Sequence, residues 1–149
     1  IAGTTSTTLA NVDVKESATA TIGSDTATDQ TSLSNSSVGV EGEVAIAGGS
    51  VNITGNEGIS SETGSVKITA TAGAASIAGG TVTAEAGAGA VSGASQTTLE
   101  NVVVDGKTAS ITGDEVSVTG ESVKGSDSVT IAGTTSTTLE DVEFLYTVI

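Results

Sequence analysis

Two stretches decide the fold: Ile1–Val12, IAGTTSTTLANV, and Ile131–Val142, IAGTTSTTLEDV. Ten of their twelve positions are identical. A third relative, TTLENVVV, starts at Thr97, and a weaker one, TSLSNSSV, at Thr31. Internal repetition of this kind marks architectures built by stacking one unit on the next.

A finer period lies between the copies. Apolar–polar–apolar triplets recur, as in Val44-Ala45-Ile46, Val51-Asn52-Ile53, Val66-Lys67-Ile68 and Val116-Ser117-Val118. Such alternation is a strand signal, because successive side chains point to opposite faces. Most triplets are followed by turn residues: Gly48-Gly49, Gly55-Asn56, Gly79-Gly80, Asp105-Gly106, Gly113-Asp114. The last apolar residues of successive triplets are Ile46, Ile53, Ile59, Ile68, Ile77, Val82, Val91, Leu99, Val104, Ile111, Val118, Val123, Ile131 and Leu139. Their mean step is about seven residues. A coiled-coil heptad would need helix-forming segments without frequent Gly, and these segments alternate with period two. A short strand plus a tight corner also repeats every seven residues and forms one side of a β-solenoid.

Three such sides make a coil of about 21–22 residues, within the usual span of one solenoid repeat. Successive separations along Leu9, Leu33, Ile53, Ile77, Leu99, Val118 and Leu139 are 24, 20, 24, 22, 19 and 21, so the two copies of the terminal motif lie six coils apart. The expectation is an all-β chain, a parallel β-solenoid of about seven coils, spanning 1–149 as a single domain. Residues 1–14 and 131–144 are its repeated coils. The clearest coil runs from Thr97 to about Gly120, with strands at Thr97–Val104, Thr108–Thr112 and Val116–Thr119. Val, Ile, Ala and a few Leu fill the interior; Thr, Ser, Lys, Glu and Asp point outward. A β-sandwich is the competing fold, but its turn signals come every 8–12 residues and it usually holds an inner aromatic.

Composition excludes several functions. The 149 residues hold 26 Thr, 20 Ser, 20 Gly and 19 Ala, one Phe, one Tyr, and no Trp, Pro, Cys, His or Arg. Without Cys and His there is no disulfide framework, no usual zinc ligand set and no Ser-His or Cys-His catalysis. Eighteen acids against four Lys give a net charge of −14, which repels nucleic acid. No apolar run approaches the ~20 residues of a membrane helix, so no membrane insertion is expected. No signal peptide is visible, and a chain opening at Ile rather than Met reads as a product of processing or excision.

Segments such as Gly49-Ser50-Val51-Asn52-Ile53-Thr54-Gly55 and Gly64-Ser65-Val66-Lys67-Ile68-Thr69-Ala70 resemble the repeats of filamentous-haemagglutinin-type adhesins and autotransporter passenger domains. The run from Thr98 to Gly106 is similar to a coil of pectin-lyase-like β-helices. The resemblance runs from about Val38 to Val142. It implies a right-handed parallel β-helix exported to the extracellular space at a bacterial cell surface. No secretion domain or β-barrel accompanies it, so the chain reads as a fragment of something longer or a short fibre subunit.

Candidate sites are few. Most acids sit at corners beside Gly, where solvated charge keeps a solenoid soluble. One Tyr, four Lys and no Arg make a poor sugar-cleaving cleft, and no catalytic residue or enzyme activity is expected. Asn56, Glu57, Asp114, Glu115 and Asp127 are the calcium candidates at stacked corners; no other cofactor is expected. The Thr-x-Thr triplets at Thr19, Thr26, Thr69 and Thr81 are not spaced to share one flat face. Residues 143–149, EFLYTVI, hold both aromatics and form an apolar terminal strand, cap or assembly segment. Phe144, Leu145, Tyr146, Val148 and Ile149 are its assembly candidates. The functional expectation is a structural, non-enzymatic extracellular fibre or adhesin stalk that self-associates head to tail. The alternative is a surface module binding carbohydrate or a host receptor through outward Thr/Ser/Asn rows.

Overall fold

The computed structural model describes residues 1–15, 18–120 and 122–146. Fifteen strands run in chain order: β1 (Ser6–Ala10), β2 (Asp13–Lys15), β3 (Ala20–Gly23), β4 (Gln30–Ser34), β5 (Ser37–Val40), β6 (Val44–Gly48), β7 (Ser50–Thr54), β8 (Gly58–Ser61), β9 (Val66–Ala70), β10 (Ala74–Ala78), β11 (Thr81–Gly93), β12 (Gln96–Glu100), β13 (Val103–Thr119), β14 (Ser122–Glu140) and β15 (Glu143–Tyr146). All pairings among the described residues are parallel. The chain is a three-sided parallel β-solenoid of about six turns.

The first side stacks β1, β4, β7, β10, β12, residues 115–119 of β13 and residues 136–140 of β14. The second stacks β2, β5, β8, residues 81–84 of β11, 103–106 of β13, 122–125 of β14, and β15. The third stacks β3, β6, β9, residues 88–93, 108–113 and 128–133. The first two sides thus have seven levels, joined by six complete turns. Backbone hydrogen bonds run along the axis from one level to the next, and each level touches mainly its neighbours.

Each side carries an inward apolar column. On the first side it is Leu9, Leu33, Ile53, Ile77, Leu99, Val118, Leu139, the series read from the sequence, residue for residue. On the second it is Val14, Val38, Ile59, Val82, Val104, Val123, Phe144. On the third it is Ile22, Ile46, Ile68, Val91, Ile111, Ile131. Ile1 joins the base of this last column: its amino group donates to the Thr21 carbonyl at 2.7 Å and its carbonyl accepts from Gly23 N at 2.8 Å. The fourteen apolar residues chosen at seven-residue spacing visit the third, first and second columns in strict rotation. Interior members such as Ile46, Ile53, Ile59, Ile77 and Ile111 are fully buried. Each contributes roughly 1.5–3 kcal/mol of hydrophobic stabilisation.

Two expectations need correction. Thr97–Val104 is not one strand. It breaks after Glu100 into β12 and the start of β13, because Asn101 adopts φ 53° and turns the chain onto the next side. The expected coil Thr97–Gly120 therefore covers a full turn and then the first side of the next. Nor does every Thr point outward. A second inward column on the first side reads Thr7, Thr31, Val51, Ala75, Thr97, Val116, Thr137, and Thr7, Thr31 and Thr97 are buried. Their hydroxyls satisfy corner backbone that the solenoid interior would otherwise strand. Thr97 Oγ1 accepts from Gly93 N at 2.7 Å and donates to the Thr112 carbonyl at 2.6 Å. The Gly3–Thr7 and Gly133–Thr137 pairs repeat the first of these bonds at 2.9 and 2.8 Å. A Cβ at Gly3, Gly93 or Gly133 would overlap the carbonyl of the residue three positions on, so this corner requires glycine.

The corner between the first and second sides has its own rule. Asn11, Asn35, Gly55, Gly79, Asn101, Gly120 and Asp141 all have positive φ, between 46° and 77°. Gly enters this region freely, and Asn and Asp more readily than other side chains. The four non-glycine members are those that follow the Thr-x-Leu relatives. The repeated motif is therefore one side plus its corner: an inward Thr, an inward Leu, and a left-handed Asn or Asp two residues later.

Candidate functional site

Three regions have the character of sites: the outer face of the first side, the corner grooves, and the apolar surface at level seven.

On the outer face of the first side, Thr8, Ser32, Asn52, Ser76, Thr98, Ser117 and Thr138 are aligned by strand register. The result is one uncharged hydroxyl or amide group per level. Charge on this face is confined to its upper levels, at Glu100, Glu115 and Glu140. The Thr-x-Thr triplets do not contribute to it. Thr69 and Thr81–Thr83 lie on other sides, and Thr26 and Thr28 lie in the corner after β3.

A groove of about 550 Å³ follows the corner between the second and third sides and is lined by Lys15, Ala18, Gly39, Val40, Glu41, Ser60 and Glu62. A second, about 380 Å³, lies on the third side beside Asp25, Glu43, Lys67 and Thr69. A third, about 290 Å³, brings together Glu85, Asp105, Lys107, Lys124 and Leu145. These are shallow troughs between stacked strands, edged by solvated charge. The Lys15 ammonium pairs with Asp13, whose carboxylate also accepts from Ser37; these bonds hold the Asp13 carboxyl below its ordinary value.

The calcium candidates are not gathered into one place. Asn56 and Glu57 stand at the corner between the first and second sides. Asp114 stands between the third and first, Glu115 is the first residue of the first-side strand that follows, and Asp127 stands between the second and third. Asn56 is buried and spends its amide on the Gly79 carbonyl at 2.5 Å. Asp114 is exposed and accepts from Thr134 and Thr135. Among the described residues no three acidic, His or Cys side chains are grouped to hold a metal ion.

Asp29 escaped the sequence reading. It is buried at the end of the long corner 24–29, accepts from Ser24 Oγ, and its other carboxylate oxygen has no partner among the described residues. That corner folds up along the solenoid: the Asp25 carbonyl accepts from Thr71 Oγ1 at 3.3 Å, two levels on. No periodic signal marks such an excursion, because it replaces a tight corner with a loop of unrepeated sequence.

The assembly candidates fall at level seven. Phe144 closes the second inward column and is 38% exposed; Leu145, beside it, is 41% exposed. Tyr146 is the last residue of β15 and pairs with Gly125. Val148 and Ile149 lie outside the described residues. Leu139, at the top of the first column as its place in the series predicts, is 43% exposed; it was not among the assembly candidates.

Among the described residues no helix is long and apolar enough to cross a membrane. No family model matches the chain, and no curated protein or solved structure matches it.

Proposed function

We propose that the protein is a structural, non-enzymatic segment of an extracellular fibre or adhesin stalk. The observation that carries this reading is continuity. An inward column and a backbone ladder run along each side, over seven levels on the first two sides and six on the third, so load along the axis is shared by parallel hydrogen-bonded strands on every side. The resemblance to filamentous-haemagglutinin-type repeats points the same way and supports a location at a bacterial cell surface. Net charge of −14 keeps neighbouring rods apart. The absence of Cys and Met leaves little to oxidise outside a cell.

The test is single-molecule stretching of the chain between two handles. Turns of roughly 19–24 residues would unwind one at a time, each releasing about 65–85 Å of contour at ~3.3–3.6 Å per residue. A single smooth extension at negligible force would contradict a load-bearing role.

The uncharged row from Thr8 to Thr138 favours a second reading, a carbohydrate-binding face. It predicts retention by soluble polysaccharide that is weakened several-fold by Asn52→Asp with Ser76→Asp. Equal retention of parent and variant would remove it.

A further inference from the structure

We infer that Asp29 is the anionic ligand of a calcium site built into the long corner 24–29, a site independent of the stalk reading and of the calcium candidates named above. That corner breaks the repeat. The other passages from the third side to the first take only residue 49, 71–73, 94–95, 114 or 134–135, whereas this one takes six residues, Ser24–Asp29. Stacked repeats accept such insertions at corners, and function gathers on them.

The corner folds back on itself and buries one carboxylate. Asp29 N donates to the Thr26 carbonyl at 3.0 Å, and the Asp29 carbonyl accepts from Ser50 N at 3.1 Å. The Ala27 carbonyl lies against Gly49, where a Cβ would stand 2.0 Å from it. Glycine at 49 is what lets the loop settle on the next level. The Asp25 carbonyl, held by Thr71 Oγ1 at 3.3 Å, ties the loop to the level beyond. Asp29 is left only 4% exposed.

That carboxylate is short of partners. Ser24 Oγ donates to its Oδ2, but Oδ1 is buried and meets no donor among the described residues. No ammonium group among them pairs with it either; the ion pair they form is Lys15–Asp13. Buried charges are paired or coordinate a cation, because taking them out of water alone is too costly. What surrounds Asp29 is oxygen. Ser24 Oγ also lies 3.2 Å from Thr26 Oγ1, and the Thr26 and Ala27 carbonyls belong to the same turn. Carboxylate, hydroxyl, main-chain carbonyl and water are the ligands of a hard cation. Calcium suits this irregular set, since it accepts about six to eight oxygens in flexible geometry, whereas magnesium demands a near-ideal octahedron. No group of three acids forms here among the described residues, so one carboxylate carries the charge and affinity is low, with Kd about 10⁻⁴–10⁻³ M. Bound there, calcium joins the two ends of the loop, Ser24 and Asp29, and fixes this corner on the body.

The test is a calcium chloride titration of the full chain followed by backbone amide NMR, with magnesium and sodium chloride at matched ionic strength as controls. Calcium should saturate one site with Kd about 10⁻⁴–10⁻³ M. The amides of 24–30 and of Ser50 should shift ahead of the rest, against a weak uniform drift from the net charge of −14. Asp29→Asn should lose the site, while Asp25→Asn, at an exposed acid of the same loop, should keep it. Ser24→Ala leaves the carboxylate in place and should weaken binding several-fold, which covers the case in which Asp29→Asn does not fold. Loop amides that stay put at about 10 mM calcium would overturn the site. So would parent-like binding by Asp29→Asn or, where that variant does not fold, by Ser24→Ala. An equal response to magnesium or sodium would overturn it too. None of these results bears on the stretching experiment, so the stalk reading stands or falls separately.

Discussion

Ile1–Val12 and Ile131–Val142 share ten of twelve residues and the same place in the coil, yet the structure treats them differently. Leu9 is 4% exposed and Leu139 43%; Thr7 is buried and Thr137 exposed. The local structure is nonetheless the same in both. Gly3 and Gly133 donate to the Thr four residues on, and Asn11 and Asp141 have φ of 56° and 53°. Corner geometry is thus written into the short motif, whereas burial is set by the level at which the motif sits. Properties of the first kind should be equal at the two levels, and properties of the second kind should not.

The largest expected difference is in packing. Leu9→Ala should cost about 2–4 kcal/mol, as for a buried leucine, and Leu139→Ala below about 1 kcal/mol; urea unfolding of the two variants measures both. Equal losses would mean that the two levels are covered alike. Next comes the inward Thr column. Thr97→Val leaves the Gly93 amide and the Thr112 carbonyl without their side-chain partner and should cost roughly 1–3 kcal/mol. Thr137→Val, at an exposed level, should cost about 0.5 kcal/mol.

The corner residues sharpen the comparison from the other side. Asn11→Ala and Asp141→Ala each place alanine in the left-handed region and should each cost about 1 kcal/mol, equally at the two levels. Glycine at either position should be tolerated. An effect confined to one level would show that the corner depends on what stacks on it. The smallest effect is electrostatic. The Asp13 carboxyl is lowered by hydrogen bonds from Lys15 and Ser37. Its stabilisation is therefore present above the ordinary aspartate value of 3.8 and fades as pH falls through the lower folded value. Lys15→Gln should move the Asp13 titration midpoint upward in a carboxyl NMR titration, and an unmoved midpoint would argue against the pair.

Much of the fold was legible because the solenoid is quasi-one-dimensional. Once Leu9, Leu33, Ile53, Ile77, Leu99, Val118 and Leu139 are recognised as one series, the other two columns follow from a seven-residue step. What escaped has physical reasons. The division at Asn101 was hidden because Asn in a run of Val reads as a strand residue until its left-handed conformation is known. The buried hydroxyls of Thr7, Thr31 and Thr97 were hidden because Thr is as good an outward strand residue as an inward one. Only the nearby corner amides and carbonyls decide which way it points. The calcium candidates were chosen as acids beside turns, but turns one after another in sequence stand on different corners of a three-sided coil.

The columns and the stalk both depend on the register between levels, and the chain's lack of cysteine makes that register directly testable. Ser76 and Thr98 are outward partners on adjacent levels. Their Cα atoms are spaced at about the ~4.8 Å strand separation, within the ~4.4–6.8 Å range that a disulfide spans. Ser76→Cys with Thr98→Cys should cross-link within one chain under mild oxidation. Ser76→Cys with Glu100→Cys, two residues out of register, should not. Cross-linking of the second pair in place of the first, or of neither, would contradict the stacked-level arrangement on which the stalk rests.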